Sequence, residues 1–207
     1  MRNYTKSKKV HGVGVNDADY NVYKYKNGKC IWRCPTYSIW CDMIRRCYSE
    51  KSLKKHVTYE KCEVCEHWKI FSNFKTWVDS QEPKGKELDK DILKAGNNIY
   101  CPEYCVFIPK HINVFLNSRG RDRGQWPLGV HMNKKLNKFT ASCSIRGGKR
   151  KILGLFTCPN EAHEAWRKYK HQLACQYADE QTDPRIAHAL RTRFSYEEWY
   201  KDKDDKQ

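Results

Sequence analysis

The chain has 207 residues, room for two small domains or one domain with a large insertion and too few for a multidomain machine. Hydrophobic residues make up 39% and aromatics 13%, with seven Trp and thirteen Tyr, a supply of core-forming side chains that argues against wholesale disorder. Forty Lys and Arg face 24 acidic residues, and the resulting formal charge of +16 calls for an anionic partner, nucleic acid first, with a basic surface kept for solubility as the plain alternative. No apolar run approaches the roughly 20 residues that cross a bilayer. Met1 to Lys6 has no apolar stretch of the kind that marks a secretion signal, so a non-secreted protein without a membrane partner is expected. Eleven Cys then read as reduced thiols, most of them buried, with metal binding open for a few.

In chain order, residues 1–33 are polar and basic and read as a partly ordered arm, with Asn27-Gly28 as turn punctuation. From Trp32 to Trp77, apolar residues recur at helical spacing (Ile39, Trp40, Met43, Ile44, Cys47, then Trp68, Phe71, Phe74, Trp77), which predicts helices flanking a loop at Lys54-Lys55-His56. Residues 82–87 form a charged turn leading into a strand-like Leu88 to Ile92. Tyr100 to Pro109 reads as a second strand, and Lys110 to Leu116 as a helical turn carrying His111 and Asn113. Residues 118–124, with two Gly and three Arg, look like a hinge. Beyond it, Leu128 to Met132, Lys138 to Ile145 and Lys151 to Phe156 are three strand patterns. A helix follows from Asn160 through Tyr177, then a last helical stretch near Ile186 to Phe194 and a solvated tail. The fold class expected is α+β.

Between Asn117 and Lys151 lie ten basic residues, Arg119, Arg121, Arg123, Lys134, Lys135, Lys138, Arg146, Lys149, Arg150 and Lys151, against one acidic residue, Asp122. Falling on a hinge and on strands with their turns, this charge is expected on one face of a small sheet, the footprint of a DNA-binding module. Gly129-Val130, Phe139 with Ala141, Leu153-Gly154 with Phe156, Glu161-Ala162 and Ala165-Trp166 resemble the Apetala or ethylene-response-factor type of DNA-binding domain, over about 50 residues. The resemblance implies a three-stranded antiparallel sheet in the major groove of double-stranded DNA with a helix behind it. His131 and Ser144 stand where that family has arginines and Ile152 where it has a tryptophan, whereas Arg150 matches. Plant-like sequence preference is therefore not expected, although DNA affinity is.

Leu88-Asp89-Lys90-Asp91-Ile92, Tyr100 to Phe107 and His111-Ile112-Asn113 resemble the HNH endonuclease core of phage homing enzymes. Trp40 to Tyr48 and Val64 to Trp68 resemble phage HNH proteins that carry an Apetala-type second domain. The resemblance implies a ββα-metal core, hydrolysis of DNA phosphodiester bonds in the host cytoplasm, and Mg2+ or Mn2+ held by Asp89 and Asn113. The first His of the motif is missing and Lys90 takes its place, while Tyr104 replaces the middle Asn. For Lys90 to serve as a base near neutral pH its pKa would have to fall about three units, roughly 4 kcal/mol. Its expected part is therefore charge stabilisation, with His111, His56 and His67 as substitutes for the base. Cys62 and Cys65 with Cys101 and Cys105 could supply four thiolates to a structural Zn2+, whereas Cys47, Cys65 and Cys105 could instead be small apolar fillers.

The expected organisation is thus an arm (1–33), an HNH-like nuclease core (34–117), a hinge (118–124), an Apetala-type domain (125–178) and a C-terminal helix with its tail (179–207). A non-catalytic DNA-binding protein that keeps the core as a scaffold, a regulator or defence antagonist, is the competing expectation.

Overall fold

Each expected amphipathic stretch finds a surface to bury against in the computed structural model, which describes residues 9–117 and 125–195. The hinge with Arg119, Arg121 and Arg123 and the tail beyond residue 195 lie outside the described residues. The chain divides into two units, Met1–Pro109 and Lys110–Gln207, and its architecture is α+β.

The first unit opens with β1 (Tyr23–Lys26) and β2 (Lys29–Arg33), continues through α1 (Pro35–Tyr48), α2 (Glu50–Lys55), β3 (Glu63–Val64) and α3 (Phe71–Asp79), and ends with β4 (Lys86–Asp89), β5 (Ile99–Tyr100) and β6 (Val106–Pro109). Pro35 starts α1, where its fixed φ suits a helix and its missing N–H is no loss. Tyr37, Trp40, Met43, Ile44 and Cys47 recur at three- and four-residue steps, and all five are buried. Trp40 is fully enclosed against Phe71, and its indole Nε1 donates to the Trp68 carbonyl at 2.7 Å, so its one polar atom is satisfied. The strands make three separate pairs: β1 with β2 antiparallel, β3 with β5 parallel, and β4 with β6 antiparallel.

Three expectations for this unit are corrected. Residues 9–33 are no loose arm: Val22 is buried, Val10 and Val13 pack against the core, and Val15 exchanges backbone hydrogen bonds with Lys69 and Phe71. Asp17 adds to this by accepting from the Ser72 N–H at 2.9 Å and the Ser72 hydroxyl at 2.6 Å. Polar composition hid the segment because it joins the core through few side chains and several backbone groups. Lys54 and Lys55 close α2 instead of lying in a loop, and only His56 is outside it. The strand expected over Tyr100 to Pro109 is broken by a turn at Cys101–Tyr104, where Pro102 has no N–H to give to a ladder and the Cys105 N–H returns to the Cys101 carbonyl at 3.0 Å.

The second unit comprises α4 (Lys110–Leu116), β7 (Val130–Asn133), β8 (Lys138–Ser144), β9 (Arg150–Phe156), α5 (Pro159–Asp179) and α6 (Pro184–Arg193). The three strands form one antiparallel sheet in the order β7-β8-β9, with α5 packed along β8 and β9. Gly129 shows why the approach to β7 needs glycine: its φ is +76°, and a Cβ there would lie 2.1 Å from the Trp166 ring. The Phe115 ring of α4 meets Tyr177 of α5 at 5.0 Å and Phe194 at 5.6 Å, edge to face. Lys170 donates to the Phe115 carbonyl at 2.6 Å. These contacts bind α4 into the second unit. Among the described residues no helix is long and apolar enough to cross a membrane.

Candidate functional site

The sheet of the second unit has two unlike faces, and its register says which residue stands on which. Val130 pairs with Ala141 and Ala141 with Gly154, Met132 with Phe139 and Phe139 with Phe156, and Cys143 with Lys151. Ala141 and Cys143 are buried, and Lys151 lies over the Tyr169 ring of α5 at 4.8 Å, so this face is the one turned to the helix. The opposite face carries His131, Thr140, Ser142, Ser144, Arg150 and Ile152. A bulge at Leu153, where the pairing shifts between Ala141 and Ser142, keeps Ile152 and Leu155 on that outward face. Ile152 is 68% exposed and Leu155 46%, large apolar side chains left open with no helix to cover them.

The expected stripe of charge is distributed more narrowly than sequence position suggested. Lys134 and Lys135 occupy the β7–β8 turn and Lys138 opens β8; at the other end of the sheet Lys149 ends the β8–β9 turn and Arg150 opens β9. All five are exposed, and none pairs with an acidic residue among those described. Two cations leave the set. Lys151 points to the helix side, and Arg146 makes an ion pair with Glu180 at 3.2 Å. The seven-residue β8 rises about 3.3 Å per residue, so the two basic ends stand roughly 20 Å apart with small polar and apolar side chains between them. Thr140 and Ser142 stand on this side of the central strand but are buried, 4% and 8% exposed, so the open part of the face between the cations is His131, Ser144, Ile152 and Leu155.

In the first unit Asp89 ends β4 opposite Val106 of β6. Its Oδ1 accepts the Asp91 and Ile92 N–H groups at 2.8 and 2.7 Å, closing the turn that follows the strand. Lys90 turns inward: its side chain is 8% exposed, and Nζ donates to Asp91 Oδ1 at 2.7 Å and to the Asn97 carbonyl at 2.6 Å. Asn97 answers by donating to the Lys90 and Ile99 carbonyls, so the loop between β4 and β5 is knitted by its own polar groups. Burial works against the Lys90 charge, but the hydrogen bond and attraction of Asp91 offset it and the pKa stands above the ordinary lysine value. Lys90 is thus a fixed cation inside the loop, and geometry gives it a structural task.

His111 and Asn113 belong to α4 in the second unit. The His111 ring sits edge-on to Tyr177 at 5.4 Å, with Nε2 3.7 Å from Glu180 Oε2. Burial, then nearby Arg146, lower its pKa, with Glu180 opposing. Asn113 Oδ1 accepts from Asn117 at 3.0 Å, one turn on. His56 and His67, the other substitutes for a base, are exposed.

The cysteines are all free thiols. Parallel pairing of β3 with β5 lets the Cys65 N–H donate to the Tyr100 carbonyl, beside Cys101, and Cys105 folds back on Cys101. Burial nonetheless pushes the Cys62, Cys65, Cys101 and Cys105 thiols up, Cys101 to about 11 with help from Glu103. Among the described residues no three His, Cys, Asp or Glu side chains stand together as a metal-ligand group. The donors therefore do not form a closed zinc site, and they do not form a carboxylate cage. Asp89 fits only the sparse mode in which Mg2+ takes one or two carboxylates and completes its shell with water and substrate phosphate. Compared with protein families, with characterised proteins and with solved structures, the chain gives no match.

Proposed function

We propose that this protein binds duplex DNA through the outward face of β7-β8-β9, and that it does so as a phage DNA endonuclease of the homing HNH kind. The observation that carries DNA binding is the face itself: five exposed cations at its two ends with an uncharged strip between them. In this reading the strip faces base edges while Lys134, Lys135, Lys138 and Lys149 meet phosphates, which set orientation more than sequence choice. Arg150 is the outward arginine able to read a guanine edge bidentately. Hydrolysis rests on the resemblance of the Asp89 and Asn113 segments to the HNH core; a divalent cation on the Asp89 carboxylate would polarise the scissile phosphate.

The burial of Lys90 within its own loop favours a second reading, a DNA-binding protein whose nuclease-like segment is a scaffold. Incubation of the purified protein with phage and plasmid duplexes in Mg2+, in Mn2+ and in EDTA separates the two. Metal-dependent cleavage that Asp89→Ala and Asn113→Ala each abolish, with affinity in EDTA unchanged, is the expected result. Binding with no cleavage on any substrate leaves the scaffold reading, and cleavage by a fully active Asp89→Ala protein overturns the HNH correspondence.

A further inference from the structure

The hairpin β1–β2 has a composition that folding of the first unit does not use. From Tyr20 to Pro35 the chain holds Lys24, Lys26, Lys29 and Arg33 and no acidic residue. The two strands pair only with each other, and every residue from Lys24 to Trp32 is exposed. Asn27 and Gly28 both have positive φ, 49° and 73°, which gives the tight two-residue turn whose twist suits a hairpin. The root is secured, because Tyr23 meets the buried Tyr37 edge to face at 5.6 Å and the Cys34 N–H donates to the Val22 carbonyl at 2.9 Å. A firm root and a solvent-bathed tip describe a projecting ribbon.

Its two faces differ. Pairing of Lys24 with Trp32 and of Lys26 with Lys29 puts three lysines and one indole on one side; Tyr25 pairs with Cys30 on the other, and Ile31 bulges between. Two-stranded ribbons in which both faces meet water usually cover an apolar side to remain stable. Here Ile31 is 61% exposed and Tyr25 64%, beside cations without an acidic neighbour in the segment.

We propose that the β1–β2 ribbon is a second duplex-DNA contact, entering the major groove tip first with Lys26 and Lys29 on phosphates. Strands about 4.8 Å apart make a ribbon that a groove about 12 Å wide admits. The absence of acid in the segment matches the polyanion. Single strands are bound by bases stacking on open ring faces, but Lys24 Nζ lies 5.3 Å over the Trp32 ring and the Arg33 guanidinium 5.4 Å over Tyr23, so two of the ribbon's three aromatic rings already carry a cation on one face. The ribbon extends the function proposed above by different residues in the other unit, and the two can fail separately.

The test titrates a short labelled duplex with the full-length protein over a range of salt, for wild type, for the Lys24→Gln/Lys26→Gln/Lys29→Gln variant and for Lys134→Gln/Lys135→Gln/Lys138→Gln. Each phosphate that is deprived of its lysine should reduce the log-log salt slope by about 0.9. The ribbon variant is expected to lose a slope of about two to three with at least tenfold weaker binding at moderate salt and an unchanged thermal midpoint. An unchanged slope in the ribbon variant, with a reduced slope in the sheet variant, overturns the ribbon and leaves the sheet. The reverse pattern overturns the sheet and supports the ribbon. No duplex binding by the wild type overturns both.

Discussion

Among the described residues each unit withdraws a lysine from solvent, Lys90 buried and Lys170 half-buried, and the two are handled in opposite ways. Lys90 in the first unit has a carboxylate at 2.7 Å, and the partner keeps its pKa above the ordinary value in spite of burial. Lys170 in the second unit has no carboxylate partner among the described residues: its Nζ donates to the Phe115 carbonyl and lies 3.6 Å from the Phe115 ring centroid. Burial pulls its pKa down from 10.5 to about 8, with only the Cys143 thiol opposing. A buried ammonium beside an anion is a tie; one that has only a carbonyl and ring faces is a liability that proton release relieves. The same contrast separates the two regions proposed to meet DNA from the loop proposed to cut it. Charges of the β4–β5 loop are engaged with one another, whereas those at the ends of the β7-β8-β9 sheet are left to the solvent.

The largest effect is expected from breaking the tie. Lys90→Ala leaves the Asn97 carbonyl without its donor inside the loop and should cost about 3 kcal/mol, seen as a lower urea midpoint with unchanged slope. A change below 0.5 kcal/mol would mean that the loop does not depend on the ammonium. A smaller effect of opposite sign is expected from Lys170→Met at neutral pH. The folded state holds the Lys170 proton less tightly than the unfolded chain does, so wild-type stability should rise as pH increases from about 8 towards 10.5. Below that window the penalty is fully present. Removal of the ammonium should therefore stabilise the protein by about 1 kcal/mol at pH 7, once the missing hydrogen bond is deducted, and the advantage should shrink through the window. Denaturation of both proteins at pH 7 and pH 10 checks this, and a constant difference would sink it. The smallest effect on stability belongs to the open cations. Lys134→Gln/Lys135→Gln/Lys138→Gln should change unfolding free energy by less than about 0.5 kcal/mol, while Arg150→Ala should weaken duplex binding about tenfold and relax base preference. Loss of binding together with loss of stability would show that these side chains serve the fold.

Much of the second unit was legible in sequence. Three strand patterns, the glycine at 129 and the helix from Asn160 all appear where expected, because alternation and three- to four-residue spacing are local signals that burial against one neighbouring layer preserves. The first unit was harder to read. Its strands are two to five residues long, and β3 pairs with β5 across 34 intervening residues, from Val64 to Ile99. Such short pairs carry no period. The candidate site shared this difficulty: Lys90 in a run of alternating charges reads as solvated, and only the return of Asn97 makes it an interior residue.

By itself the sequence determined the net charge, the binary pattern that makes a helix-backed sheet, and the asparagine–glycine turn at Asn27-Gly28. These are properties of neighbours along the chain, set by backbone sterics and by side-chain alternation. The tertiary structure alone decided which charges are free to meet a partner. Lys151 and Arg146 sit within the same basic stretch as Lys149 and Arg150, yet Tyr169 and Glu180 of the α5 region take the first two. A charge is available for binding only where folding has not already supplied its counterpart, and the counterpart comes from residues distant in sequence.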